Sequence, residues 1–406
     1  MECGMTDKTN EILALCDEVA ENFVARARKS DAEASFPVEN YADMRKAGLM
    51  GLMVPDKYGG MGADFFQYTQ AAGRLAQRCA STAVTFNMHN IIVATLAEVD
   101  EKALIGSIGK RMANFRDWVF GEALAGKVFA ASLTEPGAGF HPKSLTTTYE
   151  RVDGGFKING KKSFVSLSEN ADYYVVAAVA EETLGSGDPK ISWLVVADGD
   201  PGVRFERIWD TLGMRATVSN NMYLEDVFVP KERLFMRAEG GVVEKLAKEP
   251  HMIVGGFTAC YFGIMEAIFK FVVEYQAGRK MVGTDIPVIE NELVQHRIGE
   301  MSVNVEAGRE LVYSAARKVV ADRGSKATNA AIHRAKYYVG EMGPHLASQA
   351  IRLCGGSTVS KHLPMERYYR DIRCCGVMPA KSDECLWYIG KEALGFDTNK
   401  ASETYW

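Results

Sequence analysis

The stretch SLTEPGAG at residues 132–139, together with NGKKSFVS at residues 159–166, decides the fold. The run FKING at residues 156–160, which overlaps the start of the second stretch, alternates apolar and polar side chains and ends in an Asn-Gly pair. A period of two is typical of a half-buried strand, and Asn-Gly is a strong hairpin signal. We therefore predict a β-hairpin that turns at Asn159 and Gly160.

Short strands continue from this segment in the C-terminal direction. Apolar or alternating runs occupy residues 173–179, 191–197, 203–205 and 222–229, and turn residues such as those at 200–202 separate them. Several short strands with closely spaced turns predict an antiparallel barrel or sandwich rather than a parallel sheet.

Helical periodicity flanks the strands on both sides. Apolar residues recur at helical spacing within residues 8–28, 38–49 and 65–80, and again from about residue 239 onward. The fold class is therefore α+β with three domains. They are an N-terminal helical domain (residues 1–127), a central antiparallel β-barrel (128–238) and a C-terminal helical bundle (239–406).

Charge and hydropathy exclude two classes of partner. The 406 residues include 47 Lys and Arg against 52 Asp and Glu and contain no long basic run, so nothing favours nucleic acid or anionic lipid. The longest apolar stretch, residues 252–275, carries Glu266, Lys270 and Glu274 at a spacing of four. A bilayer span would not carry that charged stripe, so we expect a buried helix and no membrane span.

The cysteines and histidines indicate the redox environment of the protein and whether it binds a metal. The eight cysteines contain no C-x-x-C pair, and the N-terminal residues do not have the pattern of a secretory signal. We therefore expect a reduced, cytoplasmic protein. The seven histidines show no metal-ligand spacing, so we expect no metal site.

Six sequence blocks occur in an order that identifies a family. They are residues 36–62, 132–139, 159–166, 212–230, 279–283 and 353–371. In this order the blocks resemble the acyl-CoA dehydrogenase family of flavoproteins over almost the whole chain. The resemblance implies a helical N-terminal domain, a β-barrel and a four-helix C-terminal bundle, with FAD between barrel and bundle and across a subunit interface.

The resemblance also assigns cofactor-binding residues. Thr134 and Ser166 match the hydrogen-bond donors to the isoalloxazine, and Phe164 matches its wall, where a Trp is usual. Arg279 matches an arginine that reaches the FAD pyrophosphate, a task suited to a bidentate guanidinium. A further match is the glycine pair that lets the backbone approach the FAD of the neighbouring subunit, here Gly355 and Gly356. From the residues alone, strand packing, a solvated arginine and a helix C-cap remain the alternatives.

The chain departs from the family pattern near the implied cofactor. Phe140 and His141 stand where relatives have Ser-Asp, which removes an expected hydroxyl and leaves His141 as an alternative donor. Arg352 replaces a Gln and offers a cation for the neighbouring FAD phosphates. Glu292 replaces another Gln and places a negative charge near phosphate.

The largest departure concerns the catalytic base. Dehydrogenation needs a carboxylate to remove the α-proton, and in most relatives it lies nine residues after the Arg of the closing Arg-Asp pair, where this chain has Pro379. A minority of relatives carry the base on the first bundle helix, where this chain has Ile253. We predict Glu249 or His251 as a relocated base, with an N-cap-like Glu249 and a loop or core His251 as the alternatives. Asp383 and Glu384 are interpreted as solvated acids at a helix start.

The resemblance implies an FAD-dependent acyl-CoA dehydrogenase. Such an enzyme oxidises an acyl-CoA thioester at the Cα–Cβ bond, with hydride passing to flavin N5, and reduces an electron-transfer flavoprotein or another acceptor. Two alternatives stay open: a flavin oxidase or monooxygenase on the same fold, and a non-catalytic partner subunit that completes the FAD site of a homologue. A homo-oligomer, a dimer of dimers, is implied by the resemblance as well.

Overall fold

The computed structural model describes residues 7–137, 139, 141, 144–237 and 239–405. The N-terminal segment of the chain is helical. Its helices are α1 (Asp7–Ala20), α2 (Phe23–Glu33), α3 (Val38–Lys46), α4 (Phe65–Arg78), α5 (Ala80–Ala97) and α6 (Gly106–Leu124). The helix predicted over residues 8–28 is thus two helices, α1 and α2.

The central segment forms one curled, mixed sheet. Its strands are β1 (Phe129–Ser132), β2 (Thr148–Val152), β3 (Gly155–Val165), β4 (Tyr173–Ala180), β5 (Ile191–Ala197), β6 (Val203–Glu206) and β7 (Asn220–Pro230). Strand β4 pairs with β5 on one edge and with β1 and then β2 on the other, and β3, β7 and β6 follow in that order.

The prediction of an antiparallel barrel is wrong for two of these pairs. Strands β1 and β2 both run parallel to β4, while the pairs β2–β3, β3–β7, β6–β7 and β4–β5 are antiparallel. A parallel pair needs a long connection between its strands. The loop after β1 and the whole β2–β3 hairpin supply that connection, and spacing between turns does not reveal it.

The predicted turn at Asn159 and Gly160 is also wrong. Both residues lie inside β3, and the hairpin turns instead at Asp153 and Gly154, between β2 and β3. Gly160 is needed for space: a Cβ there would lie 2.6 Å from the Cα of Thr147. The Asn-Gly pair therefore marks a close backbone approach rather than a turn.

The C-terminal segment is again helical. Its helices are α7 (Val242–Lys248), α8 (Gly256–Ala277), α9 (Glu292–Asp322), α10 (Lys326–Cys354), α11 (Met365–Arg373) and α12 (Ser382–Ala393), with a π-helical turn at His251–Gly255 before α8. Helix α10 packs against α8, α9 and α12, and α4 of the first segment packs on α8. The segment His251–Ala277 is long and apolar enough to cross a membrane, but 83% of its most apolar window is buried in the protein, as in a core helix.

The change from helix to strand falls between Leu124 and Phe129, and the return to helix falls between Pro230 and Val242. The domain boundaries at 127 and 238 stay predictions.

A buried histidine joins the first segment to the sheet. His89 on α5 lies 2.8 Å from the Met50 carbonyl through Nε2, and its Nδ1 accepts a hydrogen bond from the Phe129 amide at 3.2 Å. Nε2 therefore carries the proton. Burial lowers the pKa of His89 to about 4, so the ring is neutral near pH 7 and fixes the start of β1.

The sheet also contains a wholly buried ion pair. Lys162 on β3 lies 2.7 Å from Glu135 of the loop after β1, and both side chains are 0% exposed. Glu135 also accepts hydrogen bonds from the amides of Thr146 and Thr147. Burial lowers the pKa of Lys162 to about 8 against the opposing effect of Glu135, so the ammonium is charged near pH 7. The ion pair therefore joins residues 132–139 to residues 159–166.

We expect Lys162→Met to destabilise the fold strongly, because it leaves the Glu135 carboxylate buried without its cation. Breaking one side of a buried pair typically costs about 3–5 kcal/mol of unfolding free energy. Its neighbour on β3 is a matched control: Lys161 is partly exposed and contacts Tyr223. Lys161→Met should cost less than about 1 kcal/mol. Urea unfolding of both variants measures the difference, and equal losses would contradict a structural role for the pair.

Candidate active site

A cavity of about 650 Å³, here called the large cavity, lies where the three segments meet. Helix α5 lines it on one side, and the sheet and its loops line it on another. The turn before α8 and the segment between α11 and α12 complete the wall. The lining residues from these elements include Thr134, Phe164, Ser166, Trp209, Met214, Thr217, Ser219, Ile253, Arg373, Pro379, Lys381 and Glu384.

Phe164 is presented to this cavity by a strained backbone. The β3–β7 register shifts between Lys162 and Val165, and Phe164 has a left-handed φ of 55°. Left-handed φ values are rare for bulky side chains, and bulges often lie beside functional sites. The Phe164 side chain is 57% exposed, and its ring meets that of Trp209 edge-on at 5.9 Å. The distortion of β3 thus leaves the Phe164 ring accessible to a ligand.

Polar groups surround this aromatic ring. The Thr134 carbonyl accepts a hydrogen bond from the Ser163 amide, which fixes the Thr134 backbone against β3. The hydroxyl of Thr134 is half-buried and has no hydrogen-bond partner among the described residues. Ser166 lies in the same wall, with its hydroxyl 2.9 Å from that of Ser219. Thr134, Phe164 and Ser166 therefore come together as the sequence predicted, although their contacts with a cofactor stay a prediction.

The loop before β7 is fastened from the C-terminal segment. The Met214 amide donates to Asp371 at 2.6 Å, and Arg370 donates to the Leu212 carbonyl while pairing with Asp31 at 2.6 Å. Arg370 and Asp371 thus hold the loop that contains Trp209 and Thr217 in the cavity wall.

The charged residues in the large cavity are few. The lining residues that the structure describes include one carboxylate, Glu384, together with Arg373 and Lys381 as cations. Glu384 accepts a hydrogen bond from the Lys381 amide at 2.7 Å and pairs with the Lys381 ammonium at 3.3 Å. It is about one-fifth exposed, so its interpretation as a solvated helix-start acid is incomplete: it caps α12 and also lines the cavity.

The predicted bases, Glu249 and His251, lie elsewhere. They line a second cavity of about 160 Å³, the small cavity, which shares the wall residues Ile91 and Ile253 with the large cavity. Neither is among the described residues that line the large cavity. Glu249 and His251 thus line a different cavity from Phe164 and Ser166, and their role as a base stays a prediction.

Both groups are held in an ionic network. His251 donates from Nε2 to Glu98 at 2.9 Å, and Glu249 pairs with Lys245 at 2.7 Å and with Arg323 at 3.3 Å. Burial alone would raise the pKa of Glu98, but His251 and Arg323 lower it below its ordinary value. The network stabilises the π-helical turn that carries Ile253.

The remaining predicted cofactor residues form a separate surface cluster. Arg279 donates to the Cys354 carbonyl at 3.0 Å, next to Gly355 and Gly356, and Arg352 is exposed on the last turn of α10. None of the four is among the described residues that line the large cavity. The structure thus brings them together with one another but not with Phe164.

The other residues that depart from the family pattern also lie in different places. His141 lines the large cavity, Glu292 is exposed at the start of α9, and Phe140 lies outside the described residues. Within the part of the chain that the structure describes, no group of three or more His, Cys, Asp and Glu side chains is placed to hold a metal ion.

Sequence reasoning missed four cavity residues. Trp209, Thr217 and Ser219 lie in the loop before β7 and were assigned no role, and Glu384 was interpreted only as a solvated acid at a helix start. The closing Arg-Asp pair was a signal that could have pointed to this loop. A buried acid such as Asp371 needs a fixed hydrogen-bond donor, and the loop before β7 supplies that donor.

Comparisons with known proteins agree with this architecture. The family models for the N-terminal, middle and C-terminal domains of acyl-CoA dehydrogenase match residues 6–102, 130–227 and 255–378. The short-chain specific acyl-CoA dehydrogenase of Clostridium acetobutylicum is 28% identical over 385 residues, covering 94% of this chain and 97% of that protein.

Two solved structures show the same fold. The butyryl-CoA dehydrogenase of Megasphaera elsdenii has a TM-score of 0.84 at 24% identity, covering 97% of this chain and 100% of that one. The methanesulfinate monooxygenase of Pseudomonas fluorescens has a TM-score of 0.81 at 23% identity, covering 94% and 96%. At these identities the likeness concerns the fold alone.

Fold, site and comparisons together define an FAD-dependent oxidoreductase. The three domain models match most of the chain in the expected order, so the chain belongs to the acyl-CoA dehydrogenase family.

The residues that line the large cavity fit a flavin. An isoalloxazine needs an aromatic or apolar wall and polar groups along one edge. The exposed Phe164 ring provides the wall, and the Thr134 hydroxyl, which has no partner among the described residues, provides a polar group, in a cavity of about 650 Å³. Outside the cavity, a Cβ added at Gly355 or Gly356 would meet no described residue within 4 Å, so space remains there for another molecule.

We expect Asp371→Asn to change how stability depends on pH. Burial raises the pKa of Asp371 from 3.8 to about 6, against the Met214 amide and Arg367. A carboxyl group whose folded pKa lies above its unfolded pKa stabilises the fold below the unfolded value, and that contribution is lost as pH rises through the folded value. From pH 4 to pH 7, the wild-type unfolding free energy should therefore fall relative to the variant by roughly 2–3 kcal/mol.

Urea unfolding at several pH values measures this difference. Asp188→Asn, on the exposed loop between β4 and β5, is the control and should track the wild type at every pH. Parallel curves for wild type and Asp371→Asn would contradict the burial of a charged carboxylate at this position.

Proposed function

We propose that this chain oxidises an acyl-CoA thioester at its Cα–Cβ bond with FAD bound in the large cavity, and that an electron-transfer flavoprotein or another acceptor takes the electrons. One observation carries the proposal: Glu384 is a carboxylate in the same cavity as Phe164 and Ser166, although Pro379 occupies the usual position of the base. A dehydrogenase of this kind needs such a carboxylate beside the flavin.

The cofactor and the cavity residues each have a defined part in this reaction. Bound FAD supplies the two-electron acceptor that takes hydride from Cβ. The Glu384 carboxylate removes the proton from Cα, and the electron pair of that C–H bond becomes the new double bond. The Lys381 amide and ammonium, at 2.7 and 3.3 Å, orient the carboxylate at the first turn of α12.

Two cations in the cavity wall suit the phosphates of CoA. Arg373 is exposed and forms no ion pair with any described residue, and Lys381 keeps ammonium protons beyond its pair with Glu384. The net charge of −5 makes such local cations necessary for a polyanionic substrate.

We expect Glu384→Gln to slow flavin reduction by acyl-CoA by about 10²–10⁴-fold, the usual contribution of a general base. Glutamine keeps an oxygen that accepts from the Lys381 amide, so the cap on α12 is retained. Asp383→Asn is the matched control, because Asp383 shares the first turn of α12 but is not among the described lining residues. Anaerobic stopped-flow bleaching of the bound flavin with acyl-CoAs of several chain lengths measures the rates.

Three outcomes would contradict parts of this proposal. A wild-type rate in Glu384→Gln would exclude Glu384 and return the test to Glu249 and His251. Failure of every acyl-CoA to bleach the wild-type flavin would overturn the dehydrogenase reaction. A chain that binds FAD and turns over only with a homologous partner would support the partner-subunit alternative.

A flavin monooxygenase is the second candidate. The observation that favours it is the loss of the usual base at Pro379 together with the engagement of Glu384 in the α12 cap. A reaction at reduced flavin and oxygen does not require abstraction of an α-proton. Oxygen uptake by the reduced holoenzyme without acyl-CoA, faster than that of free flavin, would support this candidate.

We further propose that two copies of the chain complete each FAD site. In the cluster of Arg279, Arg352, Gly355 and Gly356, Gly355 is half-buried and the other three residues are exposed, and the cluster lies outside the described lining of the large cavity. Among the described residues, nothing comes within 4 Å of a Cβ at Gly356, so no contact seen within the chain requires glycine there. The guanidinium groups are suited to phosphates that reach this surface from a neighbouring copy.

We expect Gly356→Val to lower FAD retention and shift the oligomer toward smaller species, with little loss of stability within the chain. Gly187→Val is the control, because a Cβ at Gly187, on the loop between β4 and β5, also meets no described residue within 4 Å. Both variants should change the unfolding free energy by less than about 1 kcal/mol. Flavin absorbance per chain and light scattering after gel filtration measure the effect, and an unchanged Gly356→Val protein would count against a shared site.

A further inference from the structure

The small cavity has an apolar wall and one polar end. The apolar wall comes from α6, α7, β5 and the segment before α7, and it includes Met112, Trp193, Phe235, Val242 and Leu246. The polar end consists of Glu98, Lys245, Glu249 and His251. The ring centroids of Trp193 and Phe235 lie 5.2 Å apart, so part of the wall is aromatic.

The size of the small cavity suits one six-membered ring. Its volume is about 160 Å³. An apolar protein cavity of about 150 Å³ stays dry and binds benzene, because a water molecule needs two or more polar partners. A ligand with a benzene-sized ring therefore fits the apolar part of this cavity.

His251 has a ring nitrogen without a hydrogen-bond partner among the described residues. Its Nε2 lies 3.0 and 2.9 Å from the two carboxylate oxygens of Glu98, and its ring meets that of Phe65 edge-on at 5.0 Å. The residue is 3% exposed, and Nδ1 is buried and unsatisfied within the described part of the chain. A buried polar atom without a partner is unfavourable, so Nδ1 indicates a ligand that supplies one.

A hydroxyl group is the partner that suits Nδ1. Nε2 carries the proton that it donates to Glu98, so Nδ1 is an acceptor in the neutral imidazole and a donor in the imidazolium. A hydroxyl both donates and accepts, so it satisfies Nδ1 in either state. A carbonyl satisfies only the charged ring, and a carboxylate would also be repelled by Glu98 and Glu249, which line the same cavity.

We propose that the small cavity is a binding site for a hydroxyaryl ring, which packs against Trp193 and Phe235 and whose hydroxyl forms a hydrogen bond with Nδ1 of His251. Aromatic rings pair favourably at the distances that this wall allows. The site rests on the small cavity alone and does not depend on the oxidation of acyl-CoA.

Two sources of such a ring fit the surroundings of the cavity. Gly241 is exposed and Val242 is half-buried where they line it, so a free phenol can reach it from solvent. Ile91 and Ile253 form a wall that the small cavity shares with the large cavity, so the ring can also be the terminal group of an acyl thioester. Only this second source rests on the proposed dehydrogenase function.

The test is isothermal titration calorimetry of the full chain, with and without added FAD, using p-cresol as the probe and toluene as the probe that lacks a hydroxyl. We expect p-cresol to bind about tenfold more tightly than toluene, the net effect of one hydrogen bond in a buried site. In His251→Phe the two probes should bind alike, because the ring is kept but Nδ1 is lost. Glu98 keeps its pair with Arg323 at 3.6 Å in this variant.

Two variants on α7 test the location of the site. Val242→Trp places a large side chain at a residue that lines the small cavity, so we expect it to abolish p-cresol binding. Val243→Trp is the matched control, because Val243 is the next residue, is also half-buried and is not among the described lining residues. It should bind p-cresol like the wild type. These two variants decide the location even if His251→Phe does not fold.

Competition with 3-(4-hydroxyphenyl)propionyl-CoA distinguishes the two sources. Displacement of p-cresol from the wild type would support the site and assign the ring to a thioester. Binding of p-cresol that the thioester leaves unchanged would support the site and assign it to a free phenol.

Three results would overturn the proposal: no binding of p-cresol to the wild type, equal binding to Val242→Trp, or binding no tighter than that of toluene. Failure of every acyl-CoA to reduce the flavin would overturn the dehydrogenase reaction but would leave the p-cresol result in place, so the two failures are distinguishable.

Discussion

The buried pair between Lys162 and Glu135 is the constraint on which the site depends. The two residues belong to the two sequence segments that decide the fold, and their 2.7 Å contact holds the loop after β1 against β3. Two wholly buried charges are tolerable only when both are paired and hydrogen-bonded, and the amides of Thr146 and Thr147 complete the shell of Glu135. Because of this contact, Thr134 and Ser166 share one wall.

The second constraint comes from the other side of the cavity. Asp371 and Arg370 hold the loop before β7 through the Met214 amide and the Leu212 carbonyl. That loop carries Trp209 against Phe164 and brings Thr217 and Ser219 beside Ser166. The sheet thus supplies an aromatic ring on a strained backbone, and the C-terminal segment holds the loop that places three hydroxyl groups next to that ring.

The order helices, sheet, helices was predictable, because hydrophobic periodicity is local and changes near the loops after Leu124 and Pro230. The Asn-Gly pair at 159–160 was misread because a glycine that makes room for Thr147 looks like a turn glycine in sequence. The parallel pairing of β1 and β2 with β4 was missed because it depends on a long connection. These errors share one cause: the deciding contacts join residues far apart in the chain.

For the site, the family resemblance supplied the residues but not their grouping. Thr134, Phe164 and Ser166 meet in the large cavity, while Glu249 and His251 line the small one behind Ile253. Glu384 was undervalued because a helix cap and a cavity carboxylate have the same sequence signature. A crystal structure of the chain grown with FAD tests whether the large cavity holds the flavin. We expect electron density for the isoalloxazine against the Phe164 ring and within hydrogen-bond distance of Thr134 and Ser166. Isoalloxazine density elsewhere, with this cavity filled only by water, would contradict it.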